Sequence, residues 1–183
     1  MIFQHLFRTG AVAGAARTLY RAIVAQARQP AFYRDFGVPD TLDGRFDMVV
    51  LHAFLVLHRL KRDGAAQGPV GQALFDLMFA DMDASLRELG VGDLSVGRKV
   101  KQMATGFYGR VAAYDEALSP QAAPQVLDRA LRRNLYGTVE ATDAHVAAMA
   151  AYVRLQAAWL DTRPGQALIE GAVEFCPPEG PPA

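Results

Sequence analysis

The sequence has few of the residues that cross-link a fold or bind metals: among 183 residues there is a single cysteine, Cys176, and only four histidines. One thiol excludes an internal disulfide framework and fits a reducing compartment. No uninterrupted apolar run approaches the roughly 20 residues that a membrane-spanning helix needs. The start of the chain carries no apolar export signal either. A soluble or peripheral protein is expected. Lysine plus arginine equal aspartate plus glutamate at 19 each, so the basic surplus left by nucleic-acid binding is missing, and no specific nucleic-acid partner is expected.

Catalytic signatures are equally scarce. There is no glycine-rich phosphate loop, no Cys-x-x-Cys, no His-Glu-x-x-His and no G-x-S-x-G. A di-iron bundle requires Glu-x-x-His pairs, and none of His5, His52, His58 and His145 has a carboxylate three residues before it. His52 and His58 lie about 120° apart around one helix, too far to share a metal. Cys176 falls in a proline-rich tail and makes a poor nucleophile. No catalytic residue, metal site or cofactor is expected.

What the sequence does contain is helix. Hydrophobic residues make up 51% of the chain and charged residues 21%, enough for a substantial core under a charged surface. Strand signals are nearly absent, and helical periodicity recurs between Gly, Pro, Ser and Asp punctuation. The pattern predicts an all-α, single bundle of six or seven helices (residues 11–175), preceded by an N-terminal arm (1–10) and followed by a disordered Pro-rich tail (176–183). The predicted helices are 11–29, 43–62, 69–89, 95–118 with Ser95 as N-cap, an interrupted element from Ser119 to Tyr136, 142–161, and a short piece over 167–175. The second is apolar almost all round, which places it at the centre of the bundle.

Charge is unevenly distributed. Residues 1–34 hold five arginines and no acid (Arg8, Arg17, Arg21, Arg28, Arg34). Such a segment reads as a basic helix docked on an acidic body, a membrane-surface helix, or a targeting segment. Two charges fall inside apolar stripes. Asp81 is about 20° from Leu74 on its helix, and Arg110 about 20° from Met103 on the next. A desolvated carboxylate needs a partner, so a structural ion pair between Asp81 and Arg110 is expected. Gly106 and Gly109 inside a helix each cost up to about 1 kcal/mol relative to alanine. They suggest close helix packing or a shallow groove.

Three strings carry a family resemblance. They are "FDMVVLHAFLVLHRLK" (46–61), "ALFDLMFADMDASLRELGVGDLSVGRKVKQM" (73–103) and "FYGRVAAYDEAL" (107–118), with "LYRAIVAQARQPAFYRDFGVPDTLDGRF" extending the likeness upstream to cover about residues 18–165. Together they resemble the ubiquinol–cytochrome c chaperone family. The resemblance implies a non-enzymatic assembly chaperone that binds newly synthesised cytochrome b and supports complex III biogenesis. It also implies, as partners, a small partner chaperone and the ribosome. Mitochondrial members carry a longer N-terminal extension, which makes a bacterial member the expectation. Such a member would be cytoplasmic and peripheral at the inner membrane, held there through basic residues 1–34; a eukaryotic one would face the mitochondrial matrix.

A chaperone for a membrane protein must present apolar and adaptable surface. The client-binding residues expected from pattern and resemblance are His52, Met78, Met82, Phe107 and Tyr108, with Asp83, Arg87, Glu88 and Lys99 in a polar rim. The alternative is a helical module in which His52 or His58 contacts haem; a less favoured one is an enzyme without a recognisable signature.

Overall fold

The computed structural model describes residues 2–64 and 68–179. Among them the chain forms six long helices and two single turns: α1 (Ile2–Ala27), α2 (Pro30–Arg34), α3 (Leu42–Arg62), α4 (Pro69–Glu88), α5 (Asp93–Ala117), α6 (Pro124–Asn134), α7 (Asp143–Asp161) and α8 (Gly165–Ile169). No strand occurs among the described residues.

α3 is the axis of the bundle and packs against α1, α5, α7 and α8. Its burial explains its composition. Met48, Val50, Leu51, Val56 and Leu60 show no exposed surface, and Ala53, Phe54 and Leu55 almost none. The helix starts where Thr41 accepts a hydrogen bond from the Gly44 amide at 3.2 Å, occupying one of the free donors of the first turn. Gly44 is required there, because a Cβ would lie 2.1 Å from the Pro39 carbonyl oxygen. Arg59, Lys61 and Arg62 in the last turn complement the helix dipole.

α1 lies across α4 and α3 and presents Leu19, Ile23 and Ala27, all fully buried, as its periodicity predicts. Its helix begins at Ile2, ahead of the predicted start at Ala11, so residues 2–10 continue it. Pro30 opens α2, and the aromatic turn that follows docks Phe32 and Phe36 into the core.

Other boundaries move for identifiable reasons. α5 is capped by Gly92, not by Ser95, and Asp93 occupies its first turn, where a carboxylate is favoured. α6 begins at Pro124, which suits a first helical position, so Ser119–Ala123 is a turn. Thr142 caps α7 through the His145 amide at 3.1 Å. α8 ends at Ile169, and Gly171 turns the chain at φ 93 into an extended strap over residues 172–179. The strap contradicts the predicted tail at its first residue. Cys176 donates its N–H to Gln156 Oε1 at 3.0 Å, and its carbonyl accepts from Gln156 Nε2 at 2.7 Å and Gln26 Nε2 at 2.8 Å. Gly180–Ala183 of that tail lie outside the described residues.

Candidate functional site: an open cleft with a polar floor

Where the start of α3 meets the end of α4, α5 and the end of α6, the bundle leaves an open cleft of about 560 Å³. Its lining is mixed: apolar Leu42, Phe46, Leu86, Met103 and Leu135 alternate with polar Asp43, Gln102, Asn134 and Thr138. Leu42 is half exposed, and Val139, next to the lining residue Thr138, is also exposed. Lys99 and Arg133 add positive charge at the cleft.

The floor is polar. Asp47 sits in the buried stripe of α3 with only 9% of its surface exposed, and its Oδ1 lies 2.8 Å from Arg110 Nη2. Desolvation raises the Asp47 carboxyl to about 7, and the charge of Arg110 offsets that only in part. Gly106 makes room for this arginine, since a Cβ there would stand 2.8 Å from Arg110 Nη1. Behind the pair, the buried Tyr114 hydroxyl is pushed above its ordinary range by desolvation, with the Asp47 charge adding to the shift.

These contacts overturn the expected Asp81–Arg110 pair. Asp81 Oδ2 instead accepts a 2.7 Å hydrogen bond from the Tyr20 hydroxyl of α1. Each charge does have a partner, as its desolvation requires, but from a different helix than expected. Asp47 carried the same signal as Asp81, a carboxylate at helical spacing from Val50, Leu51 and Phe54.

Of the residues expected to meet a client, three are inside the protein. His52 has no exposed surface. Its Nδ1 donates to the Met48 carbonyl at 2.8 Å, and its Nε2 accepts from the Tyr152 hydroxyl at 2.8 Å. Burial lowers its pKa to about 4. With both nitrogens engaged, His52 is a core histidine and cannot ligate haem. Met78 and Phe107 are 1% and 2% exposed, Phe107 being packed edge-on between Phe75 and Phe79. His58, the other haem candidate, pairs with Asp115 at 2.8 Å.

The remaining positions do reach the surface. Tyr108 is 59% exposed and packs on Phe75. Met82 is half-buried, and Asp83 is half-buried and held by Arg87 at 2.6 Å. Arg87 also bonds Asp93, and Glu88 and Lys99 are exposed. Of the expected set, Lys99 is the member that lines the cleft. Gly109 has open space where a Cβ would go, so it marks no close approach.

No helix of the described residues is long and apolar enough to cross a membrane. Within them no three His, Cys, Asp or Glu side chains gather closely enough to hold a metal ion.

Comparison with known proteins agrees with this architecture. The family model described as Ubiquinol-cytochrome C chaperone matches residues 34–175. The chain is 26% identical over 155 residues to ubiquinol-cytochrome-c reductase complex assembly factor 1 of Xenopus laevis, covering 85% of this chain and 76% of that protein. Its human counterpart is 26% identical over 164 residues, 89% of this chain and 54% of the relative. Protein CBP3, mitochondrial, of Saccharomyces cerevisiae is 27% identical over 151 residues, 80% of this chain and 44% of that one. The chain thus spans about half the length of the human and yeast relatives. The crystal structure of the Cbp3 homolog from Brucella abortus superposes with a TM-score of 0.82 at 40% identity, covering 96% of this chain and 97% of the other. The family match extends over most of the chain and the solved fold over nearly all of it: this protein belongs to the ubiquinol–cytochrome c chaperone family.

Proposed function

We propose that this chain is an assembly factor for ubiquinol–cytochrome c reductase that works by holding a segment of newly made cytochrome b in the cleft between α3, α4, α5 and α6. The observation that carries the reading is the cleft itself, open to solvent and lined by apolar and polar side chains together. Such a surface grips a polypeptide segment and releases it again. The family match and the names of the relatives, which are complex assembly factors, support the same reading. Binding and release is the whole of the activity, with no chemical step.

The basic face of α1 supplies the second half of the proposal. Arg17, Arg21 and Arg28 are exposed, and none belongs to the ion pairs formed by the described residues. An anionic membrane surface attracts such a row at about 1 kcal/mol per cation. That would keep the cleft near a client entering the bilayer.

Site-specific photo-crosslinking tests the reading. A photoreactive phenylalanine analogue at Leu42 or Met103, inside the cleft, captures cytochrome b in irradiated cells. The same probe at Leu155, exposed on α7, does not. Equal capture at all three positions, or capture at Leu155 alone, refutes the cleft as the client site. Adducts with a ribosomal protein or a small partner chaperone instead of cytochrome b reassign its occupant.

A further inference from the structure

The strap over residues 172–179 is attached to the bundle by side chains that grip its main chain. The carboxamide of Gln156, which has no exposed surface, pairs with both the N–H and the C=O of Cys176, and Gln26 donates to the same carbonyl. Trp159 Nε1 donates to the Glu174 carbonyl at 2.9 Å. Gln26 also donates to the Tyr152 hydroxyl at 2.9 Å, and that hydroxyl donates to His52, so the seat is one hydrogen-bonded unit built from α1, α3 and α7. Successive residues of an extended chain point to opposite sides. Val173 and Phe175, alternating with the gripped residues, pack against the core, Phe175 edge-on to the His52 ring at 5.3 Å.

The strap itself is thinly attached. Beyond the Ala172 amide, which donates to Ala167, no main-chain hydrogen bond ties residues 173–179 to the rest of the described chain. None of its eight residues is buried, whereas His52, Tyr152 and Gln156 of the seat all are. A segment with few buried contacts and few main-chain bonds opens while the rest of the molecule stays folded. Apolar contact alone would suffice to cover the helices here. The seat instead buries a glutamine amide, which is costly unless matched, and matches it to main chain, which every polypeptide carries. Main-chain pairing for affinity, with recesses for alternate side chains, is how proteins hold separate extended peptides.

We infer that the seat on α1, α3 and α7 is a binding groove for an extended segment of another polypeptide, one with an apolar and an aromatic side chain two residues apart, and that residues 172–179 are its built-in competitor. The strap shows what the groove reads. Val173 and Phe175 supply the two side chains, and Cys176 hydrogen-bonds through its main chain alone. None of the groove residues lines the cleft between α3, α4, α5 and α6, so this inference and client docking in the cleft stand or fall separately. An incoming segment binds only when the strap is undocked, so its apparent affinity scales with the undocked fraction.

The test uses the full chain and a fluorescein-labelled peptide of the strap sequence with serine in place of cysteine (Ala-Val-Glu-Phe-Ser-Pro-Pro-Glu), read by anisotropy. Phe175→Ala weakens the competitor and binds this peptide at least about tenfold tighter than the wild type does. A control peptide with alanine for both Val and Phe binds that variant at least about tenfold more weakly. Gln156→Leu added to Phe175→Ala removes binding. Trp159→Phe, which deletes one donor, repeats the measurement should the buried substitution disturb the fold, with circular dichroism verifying each variant. Cys176 is the chain's single thiol, so its alkylation by a maleimide reports the strap directly, and saturating peptide speeds that reaction at least about tenfold in the wild type. Failure of the peptide to bind Phe175→Ala means that the seat serves its own strap alone and overturns the inference. Equal binding of the control peptide, or binding that leaves the alkylation rate unchanged, puts the peptide elsewhere and overturns it too. A wild-type dimer in sedimentation whose thiols react as slowly as the monomer's assigns the groove to the strap of a second copy and overturns the assignment to another polypeptide.

Discussion

Replacing Asp47 by asparagine keeps the shape of the side chain and removes its titration. In the native protein desolvation raises this carboxyl from 3.8 to about 7. Over that interval the folded state binds more protons than the unfolded state, so stability falls as pH rises. The contribution is complete below pH 3.8 and gone above about 7. Between pH 5 and pH 8 the wild type loses about 2–3 kcal/mol from this one group, because each pH unit crossed below the folded-state value removes about 1.4 kcal/mol. Asp47→Asn has no such loss, and all other titrations are common to both proteins. Urea unfolding of each at the two pH values measures the difference directly. The stability of the wild type relative to the variant drops by that amount from pH 5 to pH 8. Parallel pH profiles would show that the ion pair with Arg110 fully compensates burial, and would refute the reading that desolvation of Asp47 outweighs it.

His52 produces the opposite slope. Its pKa is lowered from 6.5 to about 4, so the unfolded state binds more protons between those values. Relative to His52→Phe, the wild type loses about 3 kcal/mol as pH falls from 7.5 to 4, read by the same urea titration. Two glycines separate in sign. At Gly171, with φ 93 and a Cβ position 2.8 Å from Ala15 Cα, alanine costs about 2 kcal/mol or more. At Gly109, in a helix with open space around it, alanine stabilises by up to about 1 kcal/mol, and thermal unfolding resolves both effects.

The helices were legible because their signals are local. Leu19, Ile23 and Ala27 repeat at helical spacing, Pro69 sits at a first position, and the sixth helix starts near Thr142 as expected, whereas Pro124 reads as an interruption and is where α6 begins. α3 was recognisable as the axis because it is apolar all round, and that same property hid Asp47 among its neighbours. The ion pairs were not legible. Periodicity fixes the direction a residue points from its own helix, but not which helix stands opposite. Asp81 therefore faces Tyr20 of α1, while Arg110 faces Asp47 of α3. Three of the expected client residues, His52, Met78 and Phe107, lie inside the protein for a related reason. Methionine and phenylalanine suit a flexible binding surface and a core equally well, and Met78 and Phe107 are core.

The anchoring of Cys176 has a consequence for how the molecule is made. Gln26, on α1, meets its partner carbonyl 150 positions later in the sequence. The chain bends there with Gly171 against Ala15. During vectorial synthesis that side of α1 stays uncovered until the last described segment emerges, so the nascent chaperone passes through a stage in which it exposes apolar surface of its own. A released chain ending at residue 170 is therefore less protected from protease in α1 than one ending at residue 179, a difference that limited digestion of the two purified chains reveals.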